Sequence, residues 1–114
     1  QRVAIARAWA LGPEILFLDE PTASLDPGGT RAIEHLVEFV SGAGTTVVLT
    51  TQDLSQARRL AERIIFFHNG KAIEIADAKS FFMRPKSREA KAFLEGEILW
   101  QNKTDYKGLQ LCVG

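Results

Sequence analysis

The chain has 114 residues, 46% of them hydrophobic, and this size allows one small domain. Its 14 basic and 14 acidic side chains balance, which gives no electrostatic footprint for nucleic acid, so we expect no nucleic-acid partner. The single cysteine, Cys112, has no partner for an internal disulfide, and no apolar run is long enough to span a membrane; together these features indicate a soluble chain in a reduced, cytosolic setting.

A helix and a buried strand are predicted at the start of the chain. Residues 1–11 are rich in strong helix formers, and Gly12 and Pro13 end this helix. The continuous apolar run of residues 15–18 then fits a parallel strand that is buried on both faces, because helices cover such strands in α/β proteins. An α/β fold is therefore expected.

Two acids, Asp19 and Glu20, follow directly at the carboxyl end of this strand. Ligands bind at this end of the strands in open α/β sheets. Because side chains alternate between faces along a strand, adjacent acids point in different directions and can have different tasks. One position suits a metal ion and the other suits a water molecule, and Pro21 ends the strand just after them.

The next segment predicts a crossover to a second parallel strand. Apolar residues recur at helical spacing from Ile33 to Val40, and residues 47–49 form a second apolar, largely β-branched run. Residues 15–50 are therefore interpreted as a strand–helix–strand unit. The carboxylate of Asp53 can then cap a third helix by accepting a hydrogen bond from an amide in its first turn.

The remaining pattern predicts a β-hairpin and C-terminal helices. Asn69 and Gly70 tolerate the positive φ of a tight turn, so we expect antiparallel strands on either side of them. A helical turn at residues 77–83 and a helix capped by Ser87 follow.

The end of the chain has no clear period. Residues 101–114 mix polar and apolar side chains, which predicts a loosely held tail. The domain organisation expected is therefore one unit at residues 1–100, followed by this tail.

One long motif connects these elements to a known family. Residues 18–27 read Leu-Asp-Glu-Pro-Thr-Ala-Ser-Leu-Asp-Pro, and the helix-like residues 1–8 read Gln-Arg-Val-Ala-Ile-Ala-Arg-Ala. The combination resembles the nucleotide-binding subunit of an ABC transporter, and the similarity covers roughly residues 1–94. It implies a partial P-loop NTPase-like ATPase domain that uses ATP and Mg²⁺. The alternative, another α/β protein whose buried strand ends in two capping acids, leaves the Ala-Ser-Leu-Asp continuation unexplained.

Two other motifs of that family are absent from the sequence. There is no glycine-rich loop ending in Gly-Lys-Ser or Gly-Lys-Thr, which holds phosphates with its backbone amides and its lysine. The Leu-Ser-Gly-Gly-Gln signature, which the family carries before a Gln-Arg-Val helix, is absent too. The chain also starts without a methionine, so we expect it to be the carboxyl-terminal part of a longer subunit and to be inactive alone.

The resemblance implies a role for each acid after the first strand. Asp19 would hold Mg²⁺, mainly through the water shell of the ion, since this ion keeps several waters and takes few carboxylates. Glu20 would act as the general base that positions and deprotonates the attacking water.

The family also has a loop that crosses between two subunits and couples their nucleotide sites. Residues 24–26, Ser-Leu-Asp, match this loop, which makes Ser24 and Asp26 candidate cofactor-binding residues. The alternative is a turn that side-chain hydrogen bonds close before Pro27.

Gln52 departs from the family pattern. In the segment Leu-Thr-Thr-X-Asp-Leu the family usually has a histidine that bonds the γ-phosphate, whereas this chain has a glutamine at that catalytic position. Glutamine keeps an amide donor but cannot become cationic or accept a proton. Slower hydrolysis is expected, and the alternative is that Gln52 only caps the next helix.

The second half of the chain resembles ATPase subunits of bacterial importers, most of all those for oxyanions such as tungstate, although amino-acid importers share much of the pattern. The partners implied are a second ATPase subunit in a head-to-tail dimer, membrane permease subunits and, indirectly, a solute-binding protein. The location implied is cytoplasmic, peripheral on the inner face of the plasma membrane. Two rival interpretations are an ATPase head for DNA repair or chromosome maintenance, and a non-enzymatic remnant.

Overall fold

The computed structural model describes residues 1–96 and the backbone of residues 109–113. Within them there are five helices: α1 (Arg2–Ala10), α2 (Pro27–Gly42), α3 (Leu54–Leu60), α4 (Ala78–Met83) and α5 (Arg88–Glu95). The strands are β1 (Ile15–Asp19), β2 (Thr46–Thr51), β3 (Arg63–His68), β4 (Lys71–Asp77) and β5 (Leu109–Val113). Of the helices in these described ranges, none has the length and apolar character needed to cross a membrane.

The strands form a mixed sheet in the order β1-β2-β5-β3-β4. β1 and β2 are parallel, with Asp19 opposite Thr50, and α2 connects them. The other neighbouring pairs are antiparallel. The predicted α/β class is confirmed, as are the strand–helix–strand unit and the hairpin, in which Asn69 and Gly70 both have positive φ.

The core lies on one face of this sheet. Side chains from all five helices contribute to a single apolar cluster with the inward-facing residues of β1, β2 and β3. The prediction that β1 is buried on both faces is wrong. Leu16 points into the core and is 7% exposed, whereas Ile15 and Phe17 are 51% and 73% exposed on the other face. In the described ranges, the helices that bury β1 lie on the Leu16 side only, so the apolar run does not reflect two covered faces.

Part of the predicted loose tail is a strand. β5 lies between β2 and β3 and pairs antiparallel with both, so its backbone has a strand neighbour on each side. The pattern of residues 101–114 did not predict this, because pairing between two strands uses backbone groups that every sequence has. The rest of this tail and the boundary at residue 100 lie outside the described residues.

A buried carboxylate joins the hairpin to the last two helices. Glu74 on β4 accepts hydrogen bonds from the backbone N–H groups of Lys86 and Ser87, at 2.7–3.1 Å, and from the Ser87 hydroxyl at 2.7 Å. Burial disfavours the charged form of Glu74, but these hydrogen bonds outweigh burial and hold its pKa below the ordinary value of 4.5. Ser87 also caps α5, so the carboxylate anchors the start of that helix.

In Glu74→Gln, the free energy of unfolding is expected to fall less steeply than in the wild type as the pH is lowered. Because the folded pKa is lowered, the Glu74 contribution is complete above the unfolded pKa of about 4.5 and is lost as the pH falls through the folded value. Glutamine removes this contribution and turns an N–H₂ group toward three donors, which lowers the free energy of unfolding at pH 7 by about 1–3 kcal/mol. Denaturant unfolding from pH 3 to 7 measures both effects. Glu95→Gln, at an exposed acid of α5, is the control, and an equally steep acid limb in both variants would contradict this assignment.

Candidate functional site

The predicted acids lie at one edge of the sheet. Asp19 is the last residue of β1 and Glu20 follows it, and both side chains are exposed. Since β1 and β2 are parallel, their carboxyl ends meet at the same edge, where Gln52 follows β2 and is also exposed. The structure therefore brings Asp19, Glu20 and Gln52 to one solvent-accessible edge.

Thr50 on β2 connects the two acids. Its hydroxyl donates to Asp19 Oδ1 at 2.5 Å and accepts from the backbone N–H of Glu20 at 2.9 Å. The same N–H also donates to the backbone carbonyl of Thr50 at 3.1 Å. One hydroxyl thus orients the Asp19 carboxylate and holds the backbone of Glu20. The sequence analysis missed Thr50, although a hydroxyl residue at the end of the strand next to the acids was a usable signal.

Two of the predicted site residues have an unusual backbone conformation. Glu20 has a φ of 44° and Ser24 a φ of 65°, in the left-handed region that residues other than glycine rarely adopt. Each such residue is destabilising by on the order of 1–3 kcal/mol and persists only where the surroundings enforce it. Here the enforcing contacts include hydrogen bonds from the N–H of Ala23 to the Glu20 carbonyl and from the N–H of Leu25 to the Thr22 carbonyl.

Asp26 has a structural role at the start of α2, which differs from the turn before Pro27 that the sequence analysis kept as its alternative. Its side chain caps α2 by accepting a hydrogen bond from the N–H of Gly29 at 2.8 Å, and Pro27 occupies the first turn of that helix. A Cβ on Gly29 would lie 2.8 Å from Asp26 Oδ1, so a larger residue there would force the capping carboxylate to shift. Ser24, two residues earlier, is exposed. The interface role of residues 24–26 stays a prediction.

Asp53 rather than Gln52 caps α3. Asp53 Oδ1 accepts hydrogen bonds from the backbone N–H groups of Ser55 and Gln56, at 2.8 and 3.2 Å, as the sequence predicted. The N–H of Asp53 in turn donates to the hydroxyl of Thr51 at 3.0 Å. The alternative that Gln52 only caps this helix is therefore wrong, and its exposed amide remains available at the edge of the sheet.

The donor chemistry at this edge fits a hard, well-hydrated cation. In the described part of the chain, His, Cys, Asp and Glu side chains form no group of three or more that could hold a metal ion. Mg²⁺ does not need such a group, because it keeps several waters and binds one or two carboxylates together with substrate phosphates. The Asp19 carboxylate is exposed, and its bond to Thr50 leaves further acceptor capacity.

The chain was compared with known proteins, and several of them are similar to it in sequence. No protein-family model matches it. The phosphate import ATP-binding protein PstB 2 of Natronomonas pharaonis is 42% identical over 100 residues, which are 88% of this chain and 35% of the relative. This chain is similar to an import ATP-binding protein. The phosphate import ATP-binding protein PstB of Thermotoga maritima is 43% identical over 98 residues, or 86% of this chain and 39% of the relative.

A relative with a different solute has nearly the same similarity. The arginine transport ATP-binding protein ArtM of Bacillus subtilis is 41% identical over 95 residues, which are 83% of this chain and 40% of the relative. These names agree with the resemblance to ABC transporter ATP-binding subunits. The chain spans 35–40% of the length of these three relatives.

Proposed function

We propose that this chain is part of an ATP-hydrolysing subunit of a bacterial ABC importer. The observation that carries the proposal is the similarity to import and transport ATP-binding proteins, at 41–43% identity over 83–88% of the chain. The common edge at which Asp19, Glu20 and Gln52 lie supports it, because ATP hydrolysis needs a metal ligand, a residue that orients water and a group for the phosphate.

The roles follow from the chemistry of each side chain. Asp19 would hold Mg²⁺, mainly through coordinated water, and the ion would supply charge neutralisation at the phosphates. Glu20 positions the attacking water and takes its proton as general base. Gln52 donates its amide N–H to the γ-phosphate. The Thr50 hydroxyl keeps the carboxylate of Asp19 and the backbone of Glu20 in fixed positions, which lowers the entropic barrier of the reaction.

The rest of the subunit supplies what this chain lacks. A lysine-containing phosphate loop is absent from the 114 residues, so the proposed nucleotide site is completed by other parts of the polypeptide. Exposed apolar side chains on β1 support this proposal, since Ile15 and Phe17, on the same face of the strand, are 51% and 73% exposed among the described residues, and apolar patches usually meet another surface. The 114 residues alone are therefore inactive.

The proposed partners follow the same family. A second ATPase subunit packs head to tail, with residues 24–26 at the interface, where Ser24 and Asp26 contribute to coupling of the two nucleotide sites. The two ATPase subunits bind permease subunits at the inner face of the plasma membrane, and a solute-binding protein delivers the solute to the permease. Within this family we propose an oxyanion, possible cargoes being tungstate and phosphate, because phosphate import proteins occur among the relatives.

Two measurements test the proposed function. The full-length subunit should hydrolyse Mg·ATP, and in vesicles with its permease and binding protein the rate should rise with tungstate or phosphate more than with arginine. Isothermal titration of the 114 residues with Mg·ATP should show no micromolar binding. A full-length subunit without hydrolysis would overturn the proposal. Stimulation by arginine alone would overturn the oxyanion assignment, and micromolar binding by the isolated chain would contradict a phosphate cradle outside it.

A further inference from the structure

A buried amide holds the loop that connects the proposed site to α2. Gln56 on α3 is 1% exposed. Its Nε2 donates to the hydroxyl of Thr22 at 3.0 Å and to Oε1 of Glu34 on α2 at 3.1 Å. One side chain therefore joins α3 both to α2 and to the loop after Glu20.

The charge of Glu34 sets the direction of this amide. Arg59 forms two hydrogen bonds with Glu34, from Nε at 3.0 Å and from Nη2 at 2.5 Å. The hydrogen bond from Arg59 holds the pKa of Glu34 below its ordinary value, although burial acts in the opposite direction. An ionised carboxylate only accepts hydrogen bonds, so the N–H₂ of Gln56 must face it. The amide oxygen of Gln56 is left buried without a hydrogen-bond partner in the described residues.

Thr22 lies at the centre of the strained loop. It falls between Glu20 and Ser24, which both have left-handed φ, and its carbonyl accepts the hydrogen bond from the N–H of Leu25. Within the described residues, Gln56 forms a hydrogen bond to this loop only at the Thr22 hydroxyl. Loss of the hydrogen bond to the Thr22 hydroxyl removes a restraint on Glu20 and Ser24, because the left-handed φ of each residue is unfavourable unless its surroundings enforce it.

We propose that Gln56 is a positioning residue for the hydrolytic site, acting through Thr22 on Glu20 and on the interface loop of residues 24–26. This inference rests on the proposed function. Gln52 and Gln56 both lie at the start of α3. Gln52 directly precedes the N-cap, Asp53, and Gln56 lies in the first turn of the helix. Small displacements of a catalytic group lower the rate strongly, whereas ATP binding depends mainly on the phosphate cradle outside this chain.

Near-isosteric variants separate this coupling from general stability. Gln56→Met and Thr22→Val each remove one partner of the hydrogen bond, whereas Thr22→Ser keeps the hydroxyl. Arg58→Met is the matched control, because it removes the contact of α3 with the ring of Phe82 but leaves the Gln56–Thr22 bond and its Glu34 partner unchanged. In the full-length subunit, Gln56→Met and Thr22→Val should each lower kcat about ten-fold with KM for ATP within about two-fold. Thr22→Ser and Arg58→Met should stay within about two-fold of the wild-type kcat.

The double variant tests whether both residues act through one contact. Gln56→Met with Thr22→Val should be no more than about two-fold slower than either single variant, since the second change removes nothing further. Multiplied effects of about a hundred-fold would overturn the proposal. An unchanged kcat in Thr22→Val would also overturn the proposal. This variant keeps the test valid if Gln56→Met does not fold, because Thr22 is partly exposed and its replacement leaves the core intact.

Hydrogen exchange keeps this inference separate from the proposed function. In the 114-residue chain, protection of the Ala23 and Leu25 amides should fall about ten-fold in Gln56→Met and Thr22→Val but not in Arg58→Met. If the wild-type subunit hydrolyses ATP and kcat is unaffected by both changes, the positioning role fails while the proposed function stands. If the wild type hydrolyses no ATP, the proposed function fails. Hydrogen exchange then still tests the anchoring, and unchanged protection of the Ala23 and Leu25 amides in Gln56→Met and Thr22→Val would overturn it.

Discussion

Glu20→Gln in the full-length subunit is expected to lower the rate of ATP hydrolysis by about 10²–10⁴-fold, the usual contribution of a general base. Glutamine keeps nearly the same shape and can still contact water, but it cannot take the proton. Binding of Mg·ATP should persist within a few-fold, since Glu20 contributes to the chemical step rather than to the phosphate contacts. Single-turnover release of inorganic phosphate, together with equilibrium binding of labelled ATP, measures the two effects separately.

Glu38→Gln is the matched control for this experiment. Glu38 is also an exposed glutamate, but it lies in α2, so its replacement should leave hydrolysis within about two-fold of the wild type. Comparable losses in Glu20→Gln and Glu38→Gln would point to a nonspecific effect of charge. Wild-type turnover in Glu20→Gln would remove Glu20 from the chemistry.

Gln52→His is expected to raise turnover by about ten- to a hundred-fold, the size of one charge-stabilising contact in a phosphoryl transfer site. Histidine can donate to the phosphate as the glutamine amide does, and it can also carry a positive charge or accept a proton. The variant should gain a pH dependence near the histidine pKa of about 6.5, which the glutamine protein lacks at this position. Steady-state turnover from pH 5.5 to 8.5 measures both changes.

Gln52→Ala completes this series. It removes the amide donor, so its turnover should fall below that of the wild type by up to about ten-fold. An unchanged or lower rate in Gln52→His would contradict the idea that glutamine weakens the site. Equal rates in Gln52→Ala and the wild type would show that the Gln52 amide makes no contact during hydrolysis.

Much of the fold follows from local signals. Helix caps depend on a few neighbouring residues, so Asp53 and Ser87 correctly predicted where α3 and α5 begin. The turn at Asn69 and Gly70 likewise needs only two residues that accept positive φ. The parallel pairing of β1 and β2 was predicted from the helix between them.

The failures concern contacts between distant segments. The sequence could not show that the described helices cover only the Leu16 face of β1, nor that β5 inserts between β2 and β3, because neither is set by neighbouring residues. Gln56 was missed for the same reason, since its bond to Thr22 joins positions 34 residues apart. The bond of Thr50 to Asp19 joins positions 31 residues apart, and the place of Thr50 at the end of its strand was the one local signal for it.

The sequence by itself therefore determined the helices, the turns and the acids that end β1, because their causes lie within a few residues of each position. Only the tertiary structure decided which side chains hold those acids in place. The Thr50 hydroxyl and the Gln56 amide act across the sheet and between helices, and the left-handed φ of Glu20 and Ser24 is maintained by such contacts. Hydrogen bonds of this kind depend on the packing of the whole domain, which no local pattern encodes.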